Sequence, residues 1–246
     1  MKFLNDSFFH WNMSPEQMDR LWAHGWRHFG PYFFRYSVAL QWGGINRVTP
    51  LRVDLTKFSL SRSQKRVRAK NRDLKVIIRD TFIDEIKEEL FYRHRRRFKD
   101  NIPDSIYDFI TDEPASVPCR NREICVYDGE KLMAASLLDV GRESTSAVYA
   151  MFEPSESRRS LGIFTILEAI RYSRELDCRY YYPGYAFRES SVYDYKKNFT
   201  GLEYLDWETS WQPYSRENDG DGRHDFSNSP ENRQDLQDLS GFCELG

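Results

Sequence analysis

The sequence has few cysteines and no long apolar run. Its 246 residues include four cysteines, none before Cys119, and their spacing is irregular, which excludes a disulfide scaffold. No stretch approaches the roughly 18 consecutive apolar residues of a membrane-spanning helix, and residues 1–6 carry no cleavage signature of a secreted protein. We therefore expect a cytoplasmic protein with no membrane partner.

Common catalytic and metal-binding motifs are also missing. The sequence contains no HExxH zinc motif, no Walker phosphate-binding loop and no GxSxG nucleophile elbow. Cys119 and Cys125 lack a second pair of ligands, and the five histidines show no ligand spacing. We expect neither a metal nor a bound cofactor.

The near-neutral net charge of −2 conceals two regions of opposite sign. Residues 62–99 hold 14 Lys and Arg against 6 Asp and Glu, whereas residues 215–246 hold 3 Arg against 8 Asp and Glu. The final stretch is also rich in Asn, Ser, Gly and Gln, so a disordered acidic tail is predicted over 213–246.

Helix signals are strongest where a serine is followed three residues later by glutamine. Ser14 with Gln17 and Ser61 with Gln64 match the capping box, which predicts helices to about residues 24 and 71. Apolar side chains at helical spacing predict longer helices, and short apolar runs predict brief ones. The remaining predicted helices are 83–98, 104–111, 159–176 and 193–199.

Alternating and short apolar segments predict strands, with Asp128-Gly129 as a tight turn between two of them. The predicted strands are 52–55, 74–78, 123–127, 131–139, 146–152, 179–182 and 202–211. Strands followed by a crossing helix and another strand indicate an α+β fold, a mixed sheet flanked by helices. We divide it into an aromatic-rich N-terminal region (1–60) packed on a second domain (61–212), followed by the tail.

Two cationic segments are candidates for binding a polyphosphate. Arg62, Lys65, Arg66 and Arg68 project from the predicted second helix, where such a group would meet several backbone phosphates. Arg158-Arg159-Ser160-Leu161-Gly162 lies where a strand gives way to a helix, and the amides of a helix N-terminus bind phosphate. The alternatives are a solvated charged face and an ordinary helix start with surface arginines.

A tyrosine-rich segment is the third candidate. Residues 180–185 contain four tyrosines and a Pro-Gly pair, and Tyr195-Lys196 follows soon after. Tyrosine hydroxyls and a lysine near a strand end can position an amine or a carbonyl. The alternative is an aromatic core with one exposed lysine.

Read in order, these segments resemble the aminoacyl-tRNA–protein transferases, the arginyl- and leucyl-transferases of the N-degron pathway. The resemblance covers roughly residues 20–210. It rests on short motifs whose order and spacing agree: Trp26-Arg27-His28-Phe29-Gly30, Leu51-Arg52-Val53, Phe58-Ser59-Leu60-Ser61-Arg62-Ser63-Gln64-Lys65-Arg66, Glu89-Leu90-Phe91-Tyr92-Arg93, Ser146-Ala147-Val148-Tyr149, Arg158-Arg159-Ser160-Leu161-Gly162 and Tyr182-Pro183-Gly184-Tyr185 with Tyr195-Lys196.

The resemblance implies a GNAT-like (N-acetyltransferase-type) domain that takes aminoacyl-tRNA as co-substrate in place of acetyl-CoA. The acceptor is a protein with an exposed N-terminal residue, often acidic. Its α-amine attacks the ester on the tRNA 3′ end, a reaction driven mainly by positioning. The resemblance gives roles to three groups of residues. The reacting centre is lined by Tyr185, Tyr195 and Lys196. The tRNA phosphates are held by Arg62, Gln64, Lys65, Arg66 and Arg68, and the acceptor end is placed by Arg158, Arg159, Ser160 and Gly162. A monomer is expected.

One departure from the family keeps other functions open. Members usually carry an N-terminal cysteine cluster that binds a metal or an iron–sulfur centre, and this chain has no cysteine before Cys119. Two alternatives therefore stand beside the transferase: an acyl-CoA-dependent N-acyltransferase of the GNAT type, and a non-catalytic protein that binds tRNA or a degron.

Overall fold

The protein is described by a computed structural model over residues 3–41, 44–98, 102–189, 191, 193–208 and 210–215. Four α-helices span this region: α1 (Pro15–Ala23), α2 (Arg62–Lys70), α3 (Glu85–Arg95) and α4 (Leu161–Glu175). Three short 3₁₀ helices add to them: Ile106–Asp108, Pro154–Arg159 and Asp194–Lys197. Within the described residues, no helix is long and apolar enough to cross a membrane.

Twelve strands form two sheets within the described residues. The smaller sheet has the order β1–β3–β2 and is built from β1 (Asn5–Phe9), β2 (Arg27–Phe29) and β3 (Tyr32–Tyr36). The larger, nine-stranded sheet has the order β12–β11–β5–β10–β9–β8–β7–β6, with β4 also pairing with β5. Its strands are β4 (Val38–Gln41), β5 (Gly44–Asp54), β6 (Lys75–Asp80), β7 (Asn121–Asp128), β8 (Lys131–Val140), β9 (Ser144–Phe152), β10 (Tyr180–Phe187), β11 (Leu202–Leu205) and β12 (Trp211–Pro213).

The core lies on both faces of the large sheet. On one face α4 buries Leu167, Ala169 and Ile170 against Ile124 and Leu138, and α2 lies beside it. Complete burial of such side chains stabilises the fold by about 1.5–3 kcal/mol each. On the opposite face α3 buries Leu90 and Phe91 in a separate cluster. The strands are thus covered on both sides, which confirms the predicted α+β class with a mixed sheet.

The predicted helix starts at Ser14 and Ser61 are confirmed. Each serine accepts a hydrogen bond from the amide of the glutamine three residues on, and each glutamine side chain accepts one from the serine amide. The helix predicted over 83–98 is shorter because Asp84 caps it, accepting from the amide of Lys87.

The single strand predicted over 202–211 is wrong. It is a hairpin of β11 and β12, turned where the Asp206 carboxylate accepts from the amides of Glu208 and Ser210. The small aromatic sheet β1–β3 and strand β4 were not predicted.

Domain boundaries remain predictions, although β5, which precedes residue 60, pairs with β10 and β11 inside the large sheet. Pro213 pairs with Glu203, and the Tyr214 ring packs against Tyr204, so the first residues assigned to the tail belong to the fold. The rest of the predicted disordered tail, from residue 216 onward, lies outside the described residues.

Candidate active site

The two adjacent strands β9 and β10 pair over only part of their length. They run parallel, and their pairing covers Tyr180 with Ser144, Tyr181 with Thr145 and Tyr182 with Ser146. Beyond that point β9 stays paired with β8 and β10 with β5, but not with each other. The strands therefore part after Ser146 and Tyr182. We call the space between them the split.

Arg27 lies at the point where the strands part. Its guanidinium donates hydrogen bonds to the Ser146 hydroxyl and to the Ala147 carbonyl, which has no β10 partner. Burial lowers the pKa of Arg27, while nearby tyrosines and Asp139 oppose the effect. The small N-terminal sheet thus places a cation in the split from 119 residues away in sequence.

Lys196 approaches the same point from the 3₁₀ helix that follows β10. Its Nζ donates to the Tyr185 carbonyl at 3.1 Å and lies 5.0 Å from the centre of the Tyr193 ring. Burial, with a smaller contribution from the nearby charge of Arg27, lowers the pKa of Lys196 to about 7. This lysine therefore loses its proton far more readily than an exposed lysine.

Gly184 lies between these two cations. A Cβ built on this residue would stand 3.4 Å from the Lys196 Nζ and 3.6 Å from an Arg27 Nη, and its φ is +97°. Neither cation forms an ion pair with a carboxylate of the described residues. Asp139 acts on Arg27 electrostatically, and it already accepts hydrogen bonds from His28 and Asn121.

The hydroxyls of the two predicted catalytic tyrosines, Tyr185 and Tyr195, have different surroundings. The Tyr185 hydroxyl donates to the Gly25 carbonyl at 2.5 Å, so its backbone carbonyl, rather than its hydroxyl, meets Lys196. Tyr195 is 39% exposed, but the surroundings of its hydroxyl exclude water and raise its pKa to about 12. Arg97 acts electrostatically on this hydroxyl and on that of Tyr149.

The end of β9 forms the opposite wall. The Arg97 guanidinium lies 4.4 Å from the centre of the Phe152 ring, and the His94 ring packs edge-to-face against the same ring. His94 is buried, its Nδ1 accepts from the Phe152 amide, and burial lowers its pKa to about 4. The buried Tyr149 hydroxyl has no hydrogen-bond partner among the described residues. This wall is aromatic and carries one exposed cation, Arg97.

The predicted phosphate site at the start of α4 is adjacent to this wall. Ser160 has left-handed backbone angles, and no side chain of the described region caps the helix. A Cβ on Gly162 would lie 3.0 Å from the Phe152 ring, so glycine allows the first turn of α4 to pack on that ring. Phe152 thereby connects Gly162 to Arg97.

The two predicted arginines of this loop differ. Arg158 is exposed, and no ion pair of it occurs among the described residues. Arg159 forms a bidentate ion pair with Asp73 at 3.1 and 3.0 Å, with Asp128 and Glu156 slightly farther away. Its charge is therefore largely neutralised, and its main contacts connect the loop to the segment after α2.

The two cationic segments meet at the C-terminal end of α2. The Lys70 ammonium donates to the Arg158 carbonyl at 2.6 Å, and the Asn71 amide donates to the Arg159 carbonyl at 2.8 Å. Four of the five predicted α2 residues are exposed and form no ion pair within the described region: Arg62, Lys65, Arg66 and Arg68. Gln64 is buried, and its side chain is occupied by the capping box and by the Asn198 carbonyl.

Comparison with known proteins finds a family model and named relatives that match this chain. The family model described as Arginine-tRNA-protein transferase, C terminus, matches residues 85–206. An aspartate/glutamate leucyltransferase of Helicobacter hepaticus is 28% identical over 202 residues, covering 79% of this chain and 81% of its own. A protein of the same name from Stenotrophomonas maltophilia is 29% identical over 210 residues, covering 76% and 82% respectively. Among solved structures, FemX covers 80% of this chain and 70% of its own at 11% identity and a TM-score of 0.47.

The chain belongs to the aminoacyl-tRNA–protein transferases. The metal or iron–sulfur centre that cysteines hold in the family's N-terminal region does not fit this transferase, because residues 1–60 contain no cysteine. Where β4 and β5 pair, Ala39 and Val48 instead pack with Phe187 in an apolar cluster. We derive no step from such a centre.

One set of metal-ligand types does converge in this transferase, although its spacing in sequence did not reveal it. Ligand atoms of His28, Cys119 and Asp139 lie within 4.8 Å of one another, and all three residues are buried. The His28 Nε2 is 2.6 Å from Asp139, whose other oxygen accepts from Asn121 at 2.7 Å. This is the geometry of a hydrogen-bond network, and it fastens β2, next to Arg27, onto β8.

Sequence reasoning assigned no role to Arg27 and Arg97, which the structure places at the candidate site. Arg27 belongs to the motif Trp26-Arg27-His28-Phe29-Gly30, which contributed to the resemblance but received no role. Arg97 belongs to a basic cluster at the end of α3, where cations commonly favour the helix dipole. The roles assigned to the predicted site residues stay predictions.

Proposed function

We propose that this protein transfers leucine from leucyl-tRNA to the N-terminal amine of proteins that begin with Asp or Glu. The relatives described above carry the name of this activity. In this proposal the split receives the acceptor residue, and its side-chain carboxylate lies between Arg27 and Lys196. The arginyl alternative differs only in the amino acid on the donor.

The observation that carries the proposal is the pair of cations at Gly184. Burial of Lys196, together with repulsion from the nearby Arg27 charge, lowers the pKa of this lysine. A carboxylate placed between them would restore the lysine charge and form charge-assisted hydrogen bonds. An acidic side chain therefore fits this position better than an amide or an apolar group.

The chemical step is aminolysis of an ester. The neutral α-amine nitrogen attacks the aminoacyl carbonyl carbon, a C–N bond forms, the C–O bond to the tRNA ribose breaks, and the amine proton passes to the ribose oxygen. An α-amine with a pKa of about 7.7–8.0 is partly neutral at pH 7. Alignment of the two partners can supply roughly 7–11 kcal/mol, so no enzyme nucleophile is required.

The donor tRNA would bind the surface next to the split. The uncapped start of α4 with Arg158 would receive phosphates near the tRNA 3′ end, and the exposed cations of α2 would bind the RNA backbone. The parting of β9 and β10 would act as the open strand pair of a GNAT-like domain. The aromatic wall of Phe152 and Tyr149 would border the aminoacyl group.

A panel assay tests the function. The protein is incubated with leucyl-tRNA or arginyl-tRNA and with peptides that begin with Asp, Glu, Asn, Gln, Arg or Lys, and mass spectrometry records addition at the N-terminus. Addition of leucine to the Asp and Glu peptides is expected. Titration calorimetry with acetyl-CoA checks the acyl-CoA alternative. Binding of tRNA without transfer to any peptide would favour the non-catalytic alternative.

A further inference from the structure

An open cleft lies between α2 and α4, beside the loop that follows β9. It has a volume of about 430 Å³, within the range of roughly 300–1,000 Å³ that is typical of ligand sites. Apolar side chains line one part of it and cations another. The apolar residues are Leu60, Leu74, Val76 and Phe164, and the cations are Lys65, Arg68 and Arg72.

The three cations are exposed and form no ion pair with carboxylates of the described chain. They contrast with Arg159 nearby, which Asp73 neutralises. Such cations are free to meet phosphate, and an apolar floor beneath them suits the face of a nucleobase. Proteins that bind single-stranded nucleic acid combine these two elements, a cationic groove and a surface on which bases stack.

A buried acceptor in the wall adds an independent observation. Asn71 is 1% exposed and lines the cleft. Its Nδ2 donates to the Val67 and Arg159 carbonyls, which fixes the amide orientation, and its Oδ1 has no partner in the described region. Glu168, held by Arg171, is a second acceptor in the cleft. The Asn71 oxygen lacks a donor, and an exocyclic base amine carries the N–H group that it lacks.

We propose that this cleft binds one unpaired nucleotide of the donor tRNA, with its phosphate on Arg68 and Arg72 and its base amine toward Asn71. The proposal rests on the proposed function only in taking tRNA as the ligand. The cleft also lies close to the loop at the split, because the Asn71 side chain that lines it holds the Arg159 carbonyl. An unpaired 3′ segment can therefore lie along α2 while its end enters the split.

The experiment is a double-mutant cycle between protein and RNA. Ala69 is exposed on α2 and lines the cleft, so Ala69→Glu introduces bulk and negative charge there without removing a cation. Fluorescence anisotropy measures the Kd of uncharged tRNA with each unpaired 3′ nucleotide made abasic in turn. One position should weaken binding to the unaltered protein about tenfold, the scale of one stacked base. With Ala69→Glu the same abasic change should have no further effect.

Arg68→Gln and Arg66→Gln form a matched pair on the same helix. Arg68 lines the cleft, while Arg66 is not among its lining residues. Arg68→Gln should reduce the loss of affinity that the abasic nucleotide causes, whereas Arg66→Gln should weaken the binding of all the RNAs by the same factor. Circular dichroism checks that each variant folds, and Arg68→Gln serves if Ala69→Glu does not.

Two results would overturn the proposal. One is additivity, in which the abasic nucleotide weakens tRNA binding by the same factor in the unaltered protein, in Ala69→Glu and in Arg68→Gln. The other is binding of free AMP or CMP in the cleft as tightly as intact tRNA, which would identify a separate nucleotide ligand. Leucine transfer to an Asp peptide is measured in parallel, so failure of the cleft proposal is distinguishable from failure of the proposed function.

Discussion

Lys196 and Arg27 direct their cationic groups at the same glycine. The Lys196 Nζ and an Arg27 Nη lie 3.4 and 3.6 Å from the position that a Gly184 Cβ would take. The two residues come from opposite ends of the chain and meet where β9 and β10 part. An anion in this position relieves their repulsion, which connects the geometry to acidic acceptor residues.

Lys196→Met should reduce the preference for Asp over Asn at the acceptor N-terminus. A hydrogen bond to a charged group contributes about 1.5–3 kcal/mol, so the ratio of the kcat/KM values for the two peptides should fall roughly tenfold to hundredfold. Lys196→Arg is the control, because it keeps the charge, and it should retain much of the preference. Equal ratios in the unaltered protein and Lys196→Met would contradict this role.

The pH profile separates two roles of Lys196. If its charge binds the acceptor, kcat/KM rises as the acceptor amine loses its proton, near pH 7.7–8.0, and falls as free Lys196 deprotonates, at a pKa of about 7. The plot of kcat/KM against pH should therefore be bell-shaped, with its maximum between these two values. Lys196→Arg should lose the alkaline fall, because arginine stays protonated. A profile that only rises with pH would instead identify Lys196 as a general base.

Gly184→Ala and Gly129→Ala form a matched pair. Both glycines have positive φ, +97° and +58°, so each substitution should cost about 1–2 kcal/mol of unfolding free energy from backbone strain. A Cβ at Gly129 meets nothing within 4 Å, whereas one at Gly184 stands among the two cations. Denaturant unfolding should show that both variants lose a similar amount of unfolding free energy. Only Gly184→Ala should strongly lower the rate of leucine transfer.

The buried His94 should make stability depend on pH on the acid side. Its pKa is about 4 in the folded protein, below the ordinary value of 6.5, because burial disfavours the charged ring. The unfolded chain therefore binds more protons between these values, so this contribution is complete above pH 6.5 and is lost as pH falls through 4. Scanning fluorimetry should find a smaller acid decrease in Tm for His94→Gln. An unchanged slope would refute the assignment.

Arg158→Ala and Arg159→Ala should have different effects. Arg159 binds Asp73 and joins the loop to the segment after α2, so its loss should lower Tm. Arg158 is exposed, so its loss should leave Tm unchanged and weaken tRNA binding. The plot of log K against log salt should become less steep by roughly 0.7–0.9 for each lost phosphate contact. The opposite assignment of effects would contradict the described contacts.

The sequence predicted the local elements well because their signals are local. Capping boxes at Ser14 and Ser61 mark helix starts through contacts three residues apart. Contacts between distant segments were not predictable in this way. The Arg27 contact to Ser146 crosses 119 residues, and the pairing of Arg159 with Asp73 crosses 86. The same capping box that reveals α2 also occupies Gln64, which separates it from the exposed cations of that helix.

The most direct test of the account is the titration of Lys196 by NMR with ¹³C-labelled lysine. The free protein should show one lysine with a pKa of about 7, absent in Lys196→Arg. Saturation with a peptide that begins with Asp should raise this pKa, because a carboxylate then neighbours the ammonium, and the matching Asn peptide should not. A pKa that stays the same with Asp, or rises equally with Asn, would contradict the central claim.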